Sequence, residues 1–418
     1  MPTQAPQNLT RREFLKQGMA VVSLGVAVPG VFARAAAAAA AERSAGTGRT
    51  LVVVQLAGGL DGLNTVVPYA DPAYRDVRAD LAMGEEDLLP LADGFALHPA
   101  LGGFKQLFDE GKLAVVQGAG YPDPSFSHFK AMDIWQSADP EGVGSTGWLG
   151  RYFDGIVDQD GHPLAGLSVG RGLPSAFEAE RATLPSVSSI ESFALQPVTP
   201  QAEARQASLV SMYDLYRPTG TPFAALLDTT LDSAIASSAA LNAAHEVYEP
   251  GVTYPESSLA SGLRLLAELI DSQGGVTPLR VGHVTLGGFD THTQQGTRLE
   301  ALLQELGDAL AAFWADVSAH GHGGEVVVMT WSEFGRRVKG NAQDGTDHGA
   351  VGPMFLVGDA VRGGLHGEPP SLSNLDNGNL RYRVDFRSVY AALLERWLEA
   401  PADAILGRHF EPLDLIAV

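Results

Sequence analysis

Five short apolar runs, separated by longer stretches of mixed composition, form the most regular pattern in the chain. They cover residues 51–56, 113–118, 279–286, 325–330 and 354–357. Each run is rich in Val, Leu or Met with little polar alternation, which is typical of strands buried on both faces of a sheet. The pattern therefore predicts five interior strands.

Helical periodicity occupies parts of the intervals between these runs. Residues 99–110, 298–318 and 388–399 repeat apolar side chains at the spacing of one helix face. Strands that alternate with helices favour a three-layer α/β sandwich with a mostly parallel central sheet. Residues from about 160 to 270 depart from this pattern, being first rich in Ser, Pro and Gly and then Ala-rich and helical. We interpret them as a cap-like insertion.

The first 45 residues have the layout of an export signal. Arg11 and Arg12 form a twin-arginine motif, an apolar stretch follows at 19–32, and A-R-A at 33–35 offers a cleavage site. The apolar stretch is too short and too Gly-rich for a comfortable membrane span. The sequence thus predicts a periplasmic or secreted protein that uses the twin-arginine export machinery. We expect the protein to keep no stable membrane span after cleavage and to fold as one domain over residues 46–418.

Net charge and cysteine content narrow the classes of partner and chemistry. The formal net charge is −21 at pH 7, and such a field repels nucleic acids and anionic membrane surfaces. It also repels anionic substrates, so a phosphate or sulfate ester would need a local positive centre such as a metal ion. The chain contains no Cys, which excludes disulfides, a thiol nucleophile and Cys-ligated metal.

Potential metal ligands follow four of the five predicted strands. They are Asp61 after the first strand, Asp290 and His292 after the third, Glu333, Asp347 and His348 after the fourth, and His366 after the fifth. Because the carboxyl ends of parallel strands meet at one edge of a sheet, we expect these groups to converge there. Such a set of oxygen and nitrogen donors suffices for two divalent metal ions, such as zinc, manganese, magnesium or calcium.

Candidate catalytic residues accompany these ligands. Ser127 and His128 follow the second strand and precede an apparent helix at 130–137, where the helix N-terminus favours an anion or a nucleophile. Arg336 or Arg337, after the fourth strand, supplies a guanidinium suited to the non-bridging oxygens of an ester. Two metal ions could clamp the attacking and leaving oxygens of the same ester.

Each candidate also has an ordinary structural interpretation. Ser127 could be a helix N-cap, and Asp61 a turn residue before Gly. Glu333 could pair with Arg336 or Arg337 as an i,i+3 or i,i+4 salt bridge. The structural interpretations are less attractive taken together, because every predicted strand is followed by such a polar group.

A competing motif is G-L-S-V-G at residues 166–170, which matches the G-x-S-x-G nucleophile elbow of serine hydrolases. That elbow needs a strand before Ser168 and a helix directly after it. Here R-G-L-P follows, and Pro174 argues against a helix. We therefore interpret the match as coincidental.

The ordered motifs of the mature chain resemble a known family. L-A-G-G-L-D-G-L-N, S-H-F-K-A-M-D-I-W-Q, G-G-F-D-T-H, W-S-E-F-G-R-R and G-T-D-H-G resemble the bacterial domain-of-unknown-function family 1501. That family is similar in turn to the alkaline phosphatase and sulfatase superfamily. The resemblance implies an alkaline-phosphatase-like α/β fold with a two-metal hydrolytic site. The lack of Cys excludes a formylglycine-type sulfatase.

The resemblance also assigns roles to individual residues. It implies that Asp61 is the metal ligand of the first strand and that Ser127 is the nucleophile. It implies that Asp290 and His292 bind one metal ion, that Asp347 and His348 bind the other, and that His366 is the last His ligand.

The leading hypothesis is an exported metal-dependent hydrolase of phosphate or sulfate esters, acting on a small-molecule or polymer-linked substrate. The alternative is a non-catalytic binding or assembly protein of the cell envelope on the same fold. A serine hydrolase that uses Ser168 ranks third.

Overall fold

The computed structural model describes most of the mature chain. The described residues are 48–141, 146–156, 164–189, 211, 241, 244–245, 247–272 and 279–417. The predicted export signal lies outside the described residues. So does most of the part of the predicted insertion that runs from residue 190 to residue 243. Ser44–Ser186 and Tyr248–Val418 form one compact unit, which contains the site and the elements that position it. A second unit, Met1–Arg43 with Val187–Val247, lies almost entirely outside the described residues.

The described part of the chain contains strands and helices in alternation. The strands are β1 Thr50–Ala57, β2 Val66–Val67, β3 Leu89–Pro90, β4 Ala96–Leu97, β5 Leu113–Gly120, β6 Gly166–Val169, β7 Ser186–Val187, β8 Val281–Gly287, β9 Val326–Trp331, β10 Gly335–Arg336, β11 His348–Gly349, β12 Gly352–Val357, β13 Gly364–His366 and β14 Val384–Asp385. The helices are α1 Gly62–Thr65, α2 Pro72–Arg78, α3 Gly102–Asp109, α4 His128–Ser137, α5 Trp148–Ile156, α6 Ser258–Asp271, α7 Gln295–Ala319, α8 Phe386–Ala392 and α9 Ala402–Leu406. A π-helical turn, Leu393–Trp397, continues α8, and 3₁₀ turns occupy Ala79–Leu81, Glu85–Asp87, Ser175–Phe177 and Gly323–Glu325.

A nine-stranded sheet forms the centre of the fold. Its order is β13-β5-β12-β9-β1-β8-β6-β7, and β14 also pairs with β5. Strand β1 is parallel to both β8 and β9, and β6 is parallel to β8. Seven of the eight residues of β1 are buried and the last, Ala57, is half-buried, as expected of a strand covered on both faces. The predicted mixed α/β class with a mostly parallel sheet is confirmed.

One central strand runs against the others. Strand β12 is antiparallel to both of its neighbours, β5 and β9, so the chain that follows it leaves from the opposite edge of the sheet. The predicted strand at 354–357 is confirmed, but its loop does not join the loops after β1, β8 and β9 directly.

Helices cover both faces of the sheet. On one face Trp135 of α4 stacks on Trp331 of β9, with ring centroids 5.6 Å apart, and such pairs add roughly 0.5–1.5 kcal/mol beyond the area that they bury. On the other face Phe104 of α3 meets Phe355 of β12 edge to face at 5.1 Å. Leu266 of α6 approaches Gly282 of β8 so closely that any Cβ there would collide with it. The predicted three layers are therefore present.

The strand ends bring three loops together at one edge of the sheet. In the parallel register, Ala57 of β1 pairs with Gly287 of β8, and Gln55 pairs with Trp331 of β9. The loop after β1 begins with Gly58, whose φ is +124°, and a Cβ at this position would lie 2.3 Å from the backbone nitrogen of Asp290. Only glycine permits this contact, which seats the loop after β1 against the loop after β8.

Among the described residues, no helix is both long enough and apolar enough to cross a membrane.

Candidate metal centre

Four side chains converge beyond the ends of β5, β8 and β9. The Nε2 atoms of His292 and His348 lie 2.9 Å apart, and they lie 3.0 and 3.1 Å from Oδ1 of Asp290. His128, the first residue of α4, places its Nε2 3.5 Å from Oδ2 of the same carboxylate. His128, Asp290 and His348 each offer a ligand atom within 4.8 Å of the others. These four residues are called the Asp290 cluster below.

Two histidine rings of the cluster are held by hydrogen bonds at Nδ1, the nitrogen that points away from Asp290. These bonds determine which ring nitrogen carries the proton. Nδ1 of His348 donates to the carbonyl oxygen of Phe126 at 2.7 Å, and Nδ1 of His128 donates to Oε1 of Glu333 at 2.9 Å. Because these oxygens only accept, each neutral ring carries its proton on Nδ1 and presents an unprotonated Nε2 to Asp290. Acceptor atoms that face one another in this way are stabilised by a cation placed between them.

An aromatic ring supports the cluster from below. The ring centroid of Phe334 lies 4.9 Å from that of His128 and 4.5 Å from that of His348. Phe334 itself is buried, so its position is fixed by the core. The rings of His128 and His348 therefore pack against one buried ring, which restricts the directions in which their nitrogens can point.

The carboxyl group of Asp290 remains ionised over the whole range of neutral and mildly acidic pH. Partial burial alone would raise its pKa, but the hydrogen bond and positive charge of Arg336, with the imidazoles of His348 and His292 beside the carboxylate, lower the pKa to about 2. The cluster thus places a permanent negative charge beside three imidazole rings, a set of oxygen and nitrogen donors that suits a divalent cation.

Arg336, predicted to bind the ester, lies inside the protein. Its Nε and Nη1 donate to the carbonyl oxygens of Gly59 at 2.8 Å and Thr346 at 2.9 Å. Its Nη2 donates to the carbonyl oxygens of Gly58 and Phe289 and, at 2.7 Å, to Oδ1 of Asp290. The guanidinium therefore ties the loops of the cluster together, and it orients Asp290 instead of facing solvent.

Glu333 and Asp347, predicted as metal ligands, stand behind histidines of the cluster. The side chain of Glu333 is fully buried and accepts from the backbone nitrogen of Gly58 at 2.8 Å as well as from His128. Oδ1 of Asp347 lies 3.5 Å from Nδ1 of His292. Glu333 thus holds the ring nitrogen of His128 that points away from the cluster, the arrangement that orients metal-binding histidines, and Asp347 lies near the corresponding nitrogen of His292.

Asp61, also predicted as a ligand, is bound elsewhere. Its carboxylate forms a two-pronged ion pair with Arg78 at 2.6 and 2.7 Å, and both side chains are completely buried. The same carboxylate accepts a hydrogen bond from the side chain of Gln295. It also accepts one from the backbone nitrogen of Leu63 and so caps the N-terminus of α1. These contacts occupy both oxygens, so the structure does not bring Asp61 into the cluster.

His366 is likewise separated from the cluster. It ends β13, where it pairs with Val116 in the middle of β5, and its Nε2 donates to the carbonyl oxygen of Arg362 at 2.6 Å. The reversed direction of β12 accounts for this position, because the chain reaches β13 from the opposite edge of the sheet.

Ser127 lies at the N-terminus of α4, between two residues that contact the cluster. It is the exposed N-cap residue, but its side chain accepts no capping hydrogen bond. Phe126 before it holds His348, and His128 after it belongs to the cluster. The backbone of Ser127 is therefore next to the cluster, and its hydroxyl is free of the capping role that the sequence allowed for it.

Ser168 of the G-x-S-x-G motif is not at an elbow. It lies inside β6, is buried, and pairs with His283 of β8, whose Nδ1 is 3.4 Å from its hydroxyl oxygen. Among the described residues, Nε2 of His283 has no hydrogen-bond partner. The pair is closed to solvent, which agrees with the interpretation of the motif as coincidental.

Burial makes His283 a source of acid sensitivity. Complete burial lowers the pKa of His283 from 6.5 to about 4, so the unfolded chain binds its proton more readily than the folded chain does. Above pH 6.5 His283 is neutral in both states, and the free energy of unfolding is not reduced. As the pH falls towards 4, protonation of the unfolded chain lowers the free energy of unfolding by about 3 kcal/mol. We expect His283→Gln to flatten the unfolding free energy, measured by urea denaturation, across this window. An unchanged loss of stability in the variant would contradict this origin.

Asn341 is a supporting residue of the site that the sequence did not single out. Its Nδ2 donates to the backbone oxygen of His292 at 3.0 Å and to Oδ1 of Asp347 at 3.3 Å. Its Oδ1 accepts from the backbone nitrogens of Gln343 and Gly345, which shapes the loop that carries His348. In sequence it is an ordinary loop Asn, and no local pattern distinguishes it from a turn residue.

Comparison with known families gives one match. The model of the family described as "Protein of unknown function (DUF1501)" matches residues 113–395. No curated protein shows significant sequence similarity to the chain.

Solved structures that are similar to this chain include a synthase, a sulfatase and a phosphatase. The lipoteichoic acid synthase LtaP from Listeria monocytogenes is 10% identical with a TM-score of 0.35, and the match covers 84% of this chain and 73% of that one. The PsFucS1 sulfatase from Pseudoalteromonas sp. is 11% identical with a TM-score of 0.38, over 93% and 75% of the two chains. Alkaline phosphatase from the Antarctic bacterium TAB5 is 10% identical with a TM-score of 0.31, over 75% and 92%.

Proposed function

Because this chain belongs to the family described as "Protein of unknown function (DUF1501)", we propose a function from the site itself. The protein is an exported metal-dependent hydrolase of phosphate or sulfate esters. The observation that carries this proposal is the convergence of His292, His348 and His128 on the ionised carboxylate of Asp290. The twin-arginine motif at Arg11 and Arg12 supports export.

The donor set fits one divalent ion. Asp290, His292 and His348 would hold it, since their nearest ligand atoms lie 2.9 to 3.1 Å apart, close to the roughly 3.3 Å that separates donors at about 2.0–2.1 Å around a tetrahedral ion. Imidazole nitrogens favour zinc over magnesium and calcium, which prefer oxygen ligands, and the carboxylate oxygen of the set also suits manganese. The sequence predicted two ions, but Asp61, Glu333 and His366 are engaged with other partners in the described structure. We therefore propose a single ion.

Three ligands leave a coordination position for water or substrate, as in other catalytic sites. A divalent ion bound there would polarise the ester and lower the pKa of a hydroxyl or a water. His128, which faces the second oxygen of Asp290 and is held by Glu333, is placed to accept the proton of the nucleophile. That nucleophile is the hydroxyl of Ser127 or a water at the N-terminus of α4, where the helix dipole favours developing negative charge.

Arg337 takes the role that the sequence offered to Arg336 or Arg337. Arg336 donates its hydrogen bonds to backbone carbonyl oxygens and to Asp290, whereas Arg337 is exposed. Its backbone nitrogen is bound to the carbonyl oxygen of Asp347, which keeps it beside the loop of the cluster. Its guanidinium is therefore available for the non-bridging oxygens of an ester.

Removal of the metal ion tests the proposal. Purified protein is assayed against a panel of phosphate and sulfate esters as isolated, after chelation, and after addition of zinc or manganese. We expect turnover that chelation abolishes and the metal ion restores, and a His128→Ala variant that keeps its metal but loses roughly 100-fold or more in kcat. A protein that binds metal but turns over no ester would favour the binding or assembly protein of the cell envelope instead.

The buried carboxylate behind His128 should affect catalysis without affecting metal content. We expect Glu333→Gln to lower kcat by roughly 10- to 100-fold, because the amide lacks the negative charge that stabilises His128 once it has accepted a proton. Metal content and the hydrogen bond from Gly58 should be retained, since Gln keeps an acceptor oxygen. The measurement is the pH profile of kcat alongside metal analysis, and loss of metal in this variant would reassign His128 to the ligand set.

A further inference from the structure

Two phenylalanine rings next to the Asp290 cluster are exposed to solvent. Phe129 is 86% exposed and Phe126 is 41% exposed. Single exposed apolar side chains are common and need no explanation. These two, however, lie on either side of Ser127 and His128, the candidate nucleophile and proton acceptor. Elsewhere in the described part of the chain the large exposed hydrophobics are Leu173, Val247 and Tyr382.

The backbone places both residues next to the reacting groups. The carbonyl oxygen of Phe126 accepts from Nδ1 of His348 at 2.7 Å, so this residue is bound directly to the cluster. Phe129 follows His128 in the first turn of α4, and consecutive Cα atoms are only about 3.8 Å apart. A substrate whose ester reached the cluster would therefore carry its organic part past one or both rings.

The charges around the cluster oppose a polyanionic substrate. The protein carries a net charge of −21, and Arg336 is already occupied by Asp290 and backbone carbonyls. Arg337 is exposed, and its backbone nitrogen is bound to the carbonyl oxygen of Asp347 in the loop of the cluster. One anionic group can thus be held at the cluster, but further anionic groups along the substrate would meet repulsion.

We infer that the substrates are esters with one anionic head group and an apolar aryl or alkyl remainder, which Phe126 and Phe129 bind. This inference rests on the proposed ester hydrolase. Apolar contact with the remainder supplies binding energy that does not depend on charge. The anionic group is recognised by the Asp290 cluster with its metal ion and by Arg337.

A specificity ratio tests the inference. The ratio is kcat/KM for phenyl phosphate divided by kcat/KM for methyl phosphate, with the corresponding sulfates measured in parallel. We expect a ratio well above one in the wild type and a fall of roughly tenfold in Phe129→Ala, the range typical of a lost apolar contact. Leu173→Ala, an exposed apolar residue elsewhere in the chain, is the matched control and should keep the wild-type ratio.

Binding gives a second readout that needs no turnover. By titration calorimetry, benzylphosphonate should bind the metal-loaded wild type more tightly than methylphosphonate does, and Phe129→Ala should reduce that difference. Turnover with equal ratios in wild type and Phe129→Ala would overturn the inference and leave the hydrolase intact. Absence of turnover and of phosphonate binding would overturn both. A wild-type dimer that Phe129→Ala dissociates, with unchanged ratios, would assign the rings to a second copy instead.

Discussion

Replacement of His348 by Ala is expected to remove the bound divalent ion and to lower kcat/KM by at least roughly 100-fold, because the ion supplies several kcal/mol of transition-state stabilisation. His348 contacts both of the other proposed ligands. Its Nε2 approaches both His292 and Asp290, and its Nδ1 is fixed by the carbonyl oxygen of Phe126. Truncation to Ala therefore removes one ligand and leaves the other two without the partner that positions them.

The fold should survive this change. The side chain of His348 lies at the surface end of the site, and the interior strands do not depend on it. Thermal unfolding should therefore shift little while metal content and activity are lost. His409→Ala is the matched control, since His409 is an exposed histidine paired with Asp403, and it should retain both metal and activity. Full metal content in His348→Ala would contradict its assignment as a ligand.

Replacement of Asp61 by Ala is expected to have the opposite signature, a large loss of stability with metal content retained. The variant would leave the guanidinium of Arg78 buried without its counter-charge, which costs roughly 3–5 kcal/mol. It would also remove the acceptor for Gln295 and the N-cap of α1. Urea denaturation at neutral pH measures the change in the free energy of unfolding.

A second N-cap aspartate provides the control for this prediction. Asp71 caps α2 by accepting from the backbone nitrogen of Ala73 at 2.9 Å, but Asp61 alone of the two has a buried ion pair. Asp71→Ala should cost only about 1 kcal/mol, the usual value of a lost cap. If Asp61→Ala instead lost its metal ion at nearly wild-type stability, the role that the family resemblance implied for Asp61 would be restored.

The interior of the fold was predictable because its strands are covered on both faces. The apolar runs at 51–56 and 113–118 correspond to β1 and β5, and the helical spacing at 298–318 corresponds to α7, which covers Gln295–Ala319. The direction of β12 was not predictable, since an apolar run has the same composition whichever way it lies in a sheet. That direction then determined the position of His366.

The location of the site was predictable, but the role of each residue in it was not. Asp290, His292 and His348 come together as the pattern of polar residues after strands indicated. Glu333 also carries a carboxylate and also follows a predicted strand. Only the folded chain reveals that it stands behind His128. Asp61 could not be told from a ligand either, because its partner Arg78 is brought to it by the turn into α2.

Metal analysis of protein purified without chelators tests the central claim most directly. The account predicts about one equivalent of zinc or manganese per chain in the wild type, retention of that ion in Asp61→Ala, and its loss in His348→Ala. A wild-type protein that holds no divalent metal ion, and takes up none when zinc or manganese is added, would contradict the account.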